Sequence, residues 1–158
     1  MTNEELITTF YQAFARQDAE AMVACYATDV IFEDPAFGQL EGKDAHDMWR
    51  MLMKRGGGAT EVSFGGVSSE GERASADWMA RYNYGPKGRP VINEVHAKFI
   101  IKDGKIVQHI DTFNLWRWAR QALGLNGMLL GWSAFFKARM NETTRGMLTD
   151  FQAKQEPK

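Results

Sequence analysis

The sequence predicts one α+β domain in which helices cover a cone-shaped, curved antiparallel sheet. Apolar residues recur at helical spacing in the first third of the chain, and the period changes to two from residue 60 to residue 114. The links between the strands of that stretch are short and rich in turn residues, which favours an antiparallel meander. Helices followed by consecutive strands are typical of α+β folds, and 158 residues suffice for one buried core.

The N-terminal helices are predicted from their caps and their apolar stripes. Thr2 and Glu5 have the spacing of a capping box ahead of the first stripe, and Asp18 is placed to cap a second helix over residues 19–26. A third amphipathic helix follows Gly42, and the run of glycines at 56–58 is expected to end it.

A short strand at residues 30–32 is predicted to end before Pro35, because the residue that precedes a proline favours an extended conformation. Four longer strands are predicted at residues 60–68, 73–84, 90–102 and 105–114.

Helical spacing returns after residue 114 and predicts a C-terminal helical flap over about residues 115–153. Glycines at 124, 127 and 131 interrupt its apolar part, so one continuous straight helix is not expected there. The flap is expected either to close the mouth of the cone or to enter a dimer interface.

The Asp-Gly pair at 103–104 predicts a two-residue loop that fixes the register of the last hairpin. In the simplest register His96 lies opposite Asp111, and positions two apart on a strand share a face. That face is then expected to gather Glu94, His96, Lys98, His109 and Asp111. The opposite face is expected to be apolar, with Val95, Ala97, Phe99, Ile101, Ile106 and Ile110.

Composition and charge exclude several classes of function. A formal charge of −1, from 19 basic and 20 acidic residues, predicts no nucleic-acid partner and no membrane partner. No stretch approaches the roughly 18–20 apolar residues of a membrane span, and residues 1–17 show no signal peptide. The lone Cys25 excludes an internal disulfide, so a cytoplasmic location is expected.

Two stretches of the sequence carry a resemblance to a known family. Residues 32–43, FEDPAFGQLEGK, are similar to the DP…G loop of ketosteroid isomerases and SnoaL-like polyketide cyclases. Residues 103–114, DGKIVQHIDTFN, resemble the DGKIVEHWDxFD strand of SnoaL-like proteins. Both groups belong to the nuclear-transport-factor-2-like superfamily. The resemblance covers about residues 4–118 of a single domain, 1–158, and implies a cystatin-like α–β roll, an internal apolar pocket and a homodimer.

The resemblance also implies roles for three ionisable residues. Asp34 falls where ketosteroid isomerases keep a proton-shuttling aspartate, and His109 and Asp111 fall on the pocket-lining His-x-Asp strand. The oxyanion-hole tyrosine of the isomerases aligns with Phe10, one residue before Tyr11, so the steroid mechanism does not transfer directly.

Structural interpretations of the same residues stay open at this point. Asp34 also fits a turn residue whose carboxylate accepts backbone N–H groups. Asp111 also fits a buried ion pair with His96 or Arg81.

The candidate site therefore consists of acids, a histidine and aromatic residues. The predicted catalytic residues are Asp34, His109 and Asp111, and the predicted ligand-binding residues are Tyr11, Tyr26, Trp49, His96, Phe113 and Trp116. A metal held by the two hairpin histidines and their acidic neighbours is the lesser alternative, and we predict neither a metal nor another cofactor.

The sequence favours an enzyme that performs acid/base chemistry, of isomerase, cyclase or hydrolase type, on a small hydrophobic carbonyl or epoxide compound. Either Asp34 or Asp111 would move the proton, and His109 would polarise an oxygen or orient the acid. A non-catalytic protein that binds small ligands and a dimeric interaction module on the same fold are the alternatives.

Overall fold

The computed structural model describes residues 1–56 and 60–155 and confirms the predicted α+β fold. Six strands form one curved, unclosed sheet in the order β2-β1-β6-β5-β4-β3, with helices at both ends of the chain. In chain order the elements are α1 (Asn3–Ala15), α2 (Ala19–Cys25), β1 (Tyr26–Asp34), β2 (Gly38–Glu41), α3 (Lys43–Gly56), β3 (Glu61–Glu70), β4 (Arg73–Tyr84), β5 (Arg89–Lys102), β6 (Lys105–Thr112), α4 (Leu115–Leu123), α5 (Leu125–Leu130) and α6 (Ala134–Gln155).

The first two helices have the side-chain caps that the sequence predicts. Thr2 Oγ1 accepts the N–H of Glu5 at 3.1 Å, and Asp18 Oδ1 accepts the N–H of Ala21 at 3.0 Å. Each cap satisfies a backbone donor that has no partner inside its helix. The third helix ends at Gly56, and the further stop glycines at 57 and 58 lie outside the described residues.

The first two strands differ from the prediction. β1 is much longer than residues 30–32, and Tyr26 is its first residue rather than the last residue of α2. β2 was not predicted from the sequence; its four residues pair back onto β1 directly after the reversal at Pro35. β1 also pairs in parallel with β6, so the sheet is mixed, whereas β3 to β6 form the predicted antiparallel meander.

The predicted register of the last hairpin is wrong beyond its first two residue pairs. Ile101 pairs with Ile106, but the next residue along β5, Ile100, pairs with Gln108. Val107 is therefore an extra residue, and this β-bulge reverses the side-chain alternation over the rest of β6. The bulge allows both Ile106 and His109, three residues apart, to be buried on the same side of the sheet.

The bulge separates residues that the sequence analysis placed on one face. His109 and Asp111 are buried on the inner face, opposite Phe99 and Ala97. His96 is on the outer face, where its half-exposed ring lies 2.7 Å from Asp77 through Nδ1 and Oδ1. The predicted polar face of the hairpin is therefore wrong.

The C-terminal flap is a set of three helices, with breaks at two of the three predicted glycines. Gly124 separates α4 from α5, and Gly131 ends α5. Gly127 instead lies within α5, where a Cβ would be only 1.9 Å from the carbonyl oxygen of Ala119. The close approach of α5 to α4 thus requires glycine at this position.

The last helix, α6, holds the reversal between β1 and β2. Asn141 Nδ2 donates to the carbonyl oxygens of residues 35 and 36, both at 2.9 Å. Arg145 donates to the carbonyl oxygens of residues 37 and 39, at 2.9 and 2.7 Å. Leu148 of the same helix is buried in the main core. No helix in residues 1–56 or 60–155 is long and apolar enough to cross a membrane.

Gly127→Ala should destabilise the protein, because the added methyl group collides with the backbone of α4 rather than with a flexible side chain. We expect the free energy of unfolding to fall by about 1–3 kcal/mol in chemical denaturation. Gly146→Ala, in α6, is the matched control: a Cβ there meets no atom within 4 Å, so this change should be neutral or stabilise by about 0.5–1 kcal/mol. Equal stability of the two variants would contradict the packing of α5 on α4.

Candidate active site

A cavity of about 650 Å³ lies between the sheet and helices α3 and α6. Its size is within the usual range of small-molecule sites, which is about 300–1,000 Å³. The wall is mainly apolar and aromatic, and Asp34 and Asp111 are the two acids among the described residues that line it. Prominent lining residues are Phe14, Phe32, Met48, Trp49, Trp78, Tyr82, Phe113, Trp118, Phe136 and Met140.

Asp111 is a buried acid whose first oxygen is held by two donors. His109 Nε2 lies 2.8 Å from Asp111 Oδ1, and the indole N–H of Trp78 donates to the same oxygen at 3.3 Å. Asp111 is 4 % exposed and His109 is fully buried, so the contact is shielded from water. A buried carboxylate needs such partners, because its desolvation is otherwise costly.

The other nitrogen of His109 is held by a buried tyrosine. Tyr26 Oη lies 2.7 Å from His109 Nδ1, and the indole N–H of Trp49 donates to Tyr26 Oη at 2.8 Å. Burial raises the pKa of Tyr26 well above its ordinary value, so the phenol keeps its proton. If Asp111 is a carboxylate, the consistent assignment is a chain of donors that runs from Trp49 through Tyr26 and His109 to Asp111.

Asp34 lies at the end of β1, where the chain turns toward β2. The backbone N–H of Phe37 donates to Asp34 Oδ1 at 2.6 Å, so the turn role allowed by the sequence is present. Burial nevertheless raises the pKa of Asp34 to about 7, and the nearby charge of Asp111 adds to the rise. Asp34 is thus both a turn residue and a carboxyl group that titrates near neutrality.

The structure brings some of the predicted site residues to the cavity and leaves others away from it. Asp34, Asp111, Trp49 and Phe113 line the cavity. Tyr26 and His109 are buried and do not line the cavity. Tyr26 contacts His109, and His109 contacts the lining residue Asp111. Tyr11, His96 and Trp116 are not among the lining residues.

Each of these three residues has a different environment, and His96 lies on the outer face beside Asp77. Tyr11 is fully buried, and its hydroxyl has no hydrogen-bond partner within the described part of the chain. Trp116 is 37 % exposed, and its indole N–H donates to the carbonyl oxygen of Met128 at 3.0 Å.

The residues of the alternative metal site lie on two faces of the sheet, and no group of three potential ligands comes together among the described residues.

Trp78 was not predicted as a site residue. Closure of the cavity by the C-terminal flap was one of two expected alternatives, and residues of α4 and α6 do line the cavity. The alternation Ala74-Ala76-Trp78-Ala80 on β4 was the available signal for Trp78, because small residues around one indole indicate an inner face with space in front of it. No local pattern indicates that Phe136 and Met140 of α6 reach the same cavity.

Comparison with known sequences identifies one family. The profile of the SnoaL-like domain matches residues 7–109, which is well over half of the chain. The match ends in β6, two residues before Asp111 and ahead of the three C-terminal helices. No curated protein sequence matches the chain.

Several solved structures are similar to this one. A candidate polyketide cyclase from Pseudomonas putida KT2440 has a TM-score of 0.62 and 23 % identity, over 77 % of this chain and 98 % of its own. An LEH-like epoxide hydrolase from M. tuberculosis has a TM-score of 0.61 and 22 % identity, over 81 % of this chain and 96 % of its own. TerC, co-crystallised with polyporic acid, has a TM-score of 0.60 and 17 % identity, over 70 % of this chain and 89 % of its own. At these identities the likeness establishes the fold alone.

Tyr26→Phe should destabilise the protein, because it removes a buried hydroxyl and leaves Trp49 Nε1 and His109 Nδ1 without their partner. We expect a loss of about 1–3 kcal/mol in the free energy of unfolding, measured by chemical denaturation. Tyr84→Phe is the control, since Tyr84 is 38 % exposed, and it should change stability by less than about 0.5 kcal/mol. Similar losses in both variants would argue against the buried chain of hydrogen bonds.

The raised pKa of Asp34 should make stability depend on pH. The folded protein keeps this proton up to about pH 7, whereas the unfolded chain releases it near the ordinary value of 3.8. The folded state therefore binds more protons in that window, and its stability falls as the pH rises through it. Asp34→Asn should remove about 1–3 kcal/mol of that fall.

The measurement is urea denaturation at several pH values from about 4 to about 8. Asp29→Asn, an exposed change on the same strand, serves as the control and should follow the wild type. Parallel pH curves for the wild type and Asp34→Asn would show that Asp34 has no raised pKa.

Proposed function

This chain belongs to the SnoaL-like domain family, and we propose that it is an enzyme that moves protons on a small apolar carbonyl or epoxide compound. The observation that carries the proposal is Asp111, a carboxyl group on the wall of an apolar cavity with its Oδ1 held by His109 and Trp78. A carboxyl group held in place on the wall of a mainly apolar cavity is suited to general acid–base catalysis.

The hydrogen bonds give the two carboxylate oxygens of Asp111 different roles. Both hydrogen bonds that Asp111 accepts within the described residues go to Oδ1, so Oδ2 is the oxygen that we assign to the substrate proton. His109 has both ring nitrogens engaged and is fully buried. It therefore acts as a positioning residue for Asp111 rather than as a group that polarises the substrate.

Asp34 is the complementary group, because its pKa of about 7 leaves a substantial protonated fraction near neutrality. With a carbonyl substrate, Asp111 Oδ2 takes a proton from the carbon next to the carbonyl group. The electron pair moves to the carbonyl oxygen, and protonated Asp34 donates a hydrogen bond to the enolate. When the enolate is conjugated to a double bond, Asp111 returns the proton to the far carbon, which gives an isomer. When the enolate carbon attacks a second carbonyl group, a carbon–carbon bond closes the ring, and the new alkoxide takes the proton from Asp111.

The same pair of acids suits addition of water to an epoxide. Asp111 takes a proton from the attacking water while Asp34 gives its proton to the epoxide oxygen, so that one carbon–oxygen bond forms and another breaks. The product is a diol, and a proton transfer between the two acids restores the starting state. The Pseudomonas putida protein, a candidate polyketide cyclase, and the LEH-like epoxide hydrolase from M. tuberculosis share this scaffold, which supports cyclase-type and epoxide-hydrolase-type chemistry as proposals for this chain.

A binding protein without chemistry is the second candidate, and the aromatic wall of the cavity favours it. Trp49, Trp78 and Phe113 offer flat apolar surface to a ligand whether or not the acids react. TerC, crystallised with polyporic acid, supports ligand binding on the same fold. The predicted homodimer stays part of both proposals.

Asp111→Asn should keep the fold and the bound ligand but lose turnover by about 10²–10⁴-fold. The asparagine oxygen still accepts from His109 and Trp78, whereas the amide no longer takes a proton. The test is a panel of aryl ketones, β-diketones and aryl epoxides, with binding followed by thermal shift and turnover by mass spectrometry.

Asp77→Asn on the outer face is the matched control and should leave turnover unchanged, because Asp77 is exposed and bonded to His96. Full turnover in Asp111→Asn would remove Asp111 from the mechanism. Ligand binding without turnover in the wild type, at unchanged affinity in Asp111→Asn, would favour the binding protein.

A further inference from the structure

Six large apolar side chains around α5 and the start of α6 are exposed together, and we call them the C-terminal apolar patch. They are Leu125 (65 % exposed), Met128 (46 %), Leu129 (59 %), Leu130 (60 %), Trp132 (74 %) and Phe135 (74 %). Scattered exposed apolar residues are ordinary, but six within eleven residues of one segment indicate a surface that contacts something apolar.

The patch rests on well-connected backbone. The indole N–H of Trp132 donates to the carbonyl oxygen of Leu129 at 2.9 Å, and Ser133 caps the start of α6 by accepting the N–H of Phe136 at 3.1 Å. On the other side of α5, Gly127 packs directly against the backbone of α4. The exposed side chains therefore extend outward from a segment whose backbone is held by hydrogen bonds and by close packing on α4.

Charge is distributed unevenly around the patch. Residues 113–141 contain four of the 19 basic residues of the chain, Arg117, Arg120, Lys137 and Arg139, and none of its 20 acidic residues. All four are exposed. Arg117 forms an ion pair with Glu94 of β5 at 3.2 Å, and the guanidinium of Arg120 lies 4.2 Å from the ring centre of Trp116, so Arg120, Lys137 and Arg139 are the basic groups beside the patch that the argument uses. The remainder of the chain is acidic overall, so the formal charge of −1 does not reveal this segregation. The expectation of no membrane partner rests on that total charge, and the local distribution points the other way.

From this combination we infer that the C-terminal apolar patch docks on an anionic membrane surface. Exposed tryptophan, phenylalanine and leucine side chains enter the boundary between headgroups and acyl chains, and basic residues beside them attract acidic headgroups. A two-fold contact between copies through the patch would instead bring the basic segment of each copy against the other. The charge pattern therefore favours anionic lipid over a second copy of this chain.

The position of the patch relative to the cavity supports the same partner. Leu123, Phe136 and Arg139, which flank or adjoin the patch in sequence, also line the cavity. A docked protein would hold the cavity beside the lipid, where apolar compounds partition. The docking itself does not depend on whether the cavity performs chemistry.

The experiment is co-sedimentation of the full chain with vesicles of phosphatidylcholine alone, and with vesicles that contain about a quarter phosphatidylglycerol. We expect binding to the anionic vesicles that weakens as salt rises from about 0.05 to about 0.5 M. The double variant Trp132→Ser/Phe135→Ser should lose most of the binding, and Lys137→Gln should weaken it about fivefold.

Matched controls lie outside the patch. Ile31→Ser changes an exposed apolar residue on β1, and Lys98→Gln removes an exposed charge on β5; both should bind anionic vesicles like the wild type. Circular dichroism of each variant verifies the fold.

Binding that is absent, equal on both vesicle types or unchanged in the double variant overturns the inference. A double variant that binds vesicles normally but changes from dimer to monomer in sedimentation velocity also overturns it and identifies a second copy as the occupant.

Discussion

The extra residue in β6, Val107, determines which side chains of that strand point into the interior of the protein. Because of this bulge, His109 and Asp111 face the helices, and Ile106 before the bulge does so as well. Two polar groups inside an apolar core require partners, and the surrounding elements supply Tyr26 and Trp78. Without the bulge, Ile110 would take the inner position and the acid would be on the solvent face.

The bulge positions Asp111, and the C-terminal helices hold the segment after Asp34 and line part of the cavity. α6 holds the backbone of residues 35–39 through Asn141 and Arg145, directly after Asp34. The same helix provides one wall of the cavity. Asp34 is consequently kept in a partly buried position on the cavity wall, where desolvation raises its pKa to about 7. The match to the SnoaL-like domain covers residues 7–109 and does not include these helices.

The sequence predicted the elements well and the site less completely, for identifiable reasons. Caps such as Thr2 and Asp18 are local interactions, and local patterns identify them. The bulge at Val107 is not local, because its register depends on which residues the helices bury. The register predicted from the sequence placed His96 beside Asp111 for that reason. β2 was not predicted, because an apolar alternation over only four residues is too short to be recognised. Trp78 was detectable from its alternation with alanines, whereas the contacts of α6 depend on tertiary packing.

The central claim is that a buried His109, held by Tyr26, orients Asp111 toward the cavity. The most direct test is NMR of the protein with ¹⁵N-labelled histidine rings, in which three histidines give separable signals and His109 is assigned with a His96→Gln/His46→Gln variant. We expect His109 to carry its proton on Nε2 and this proton to exchange slowly with water. A proton on Nδ1 alone, or rapid exchange with solvent, would contradict it.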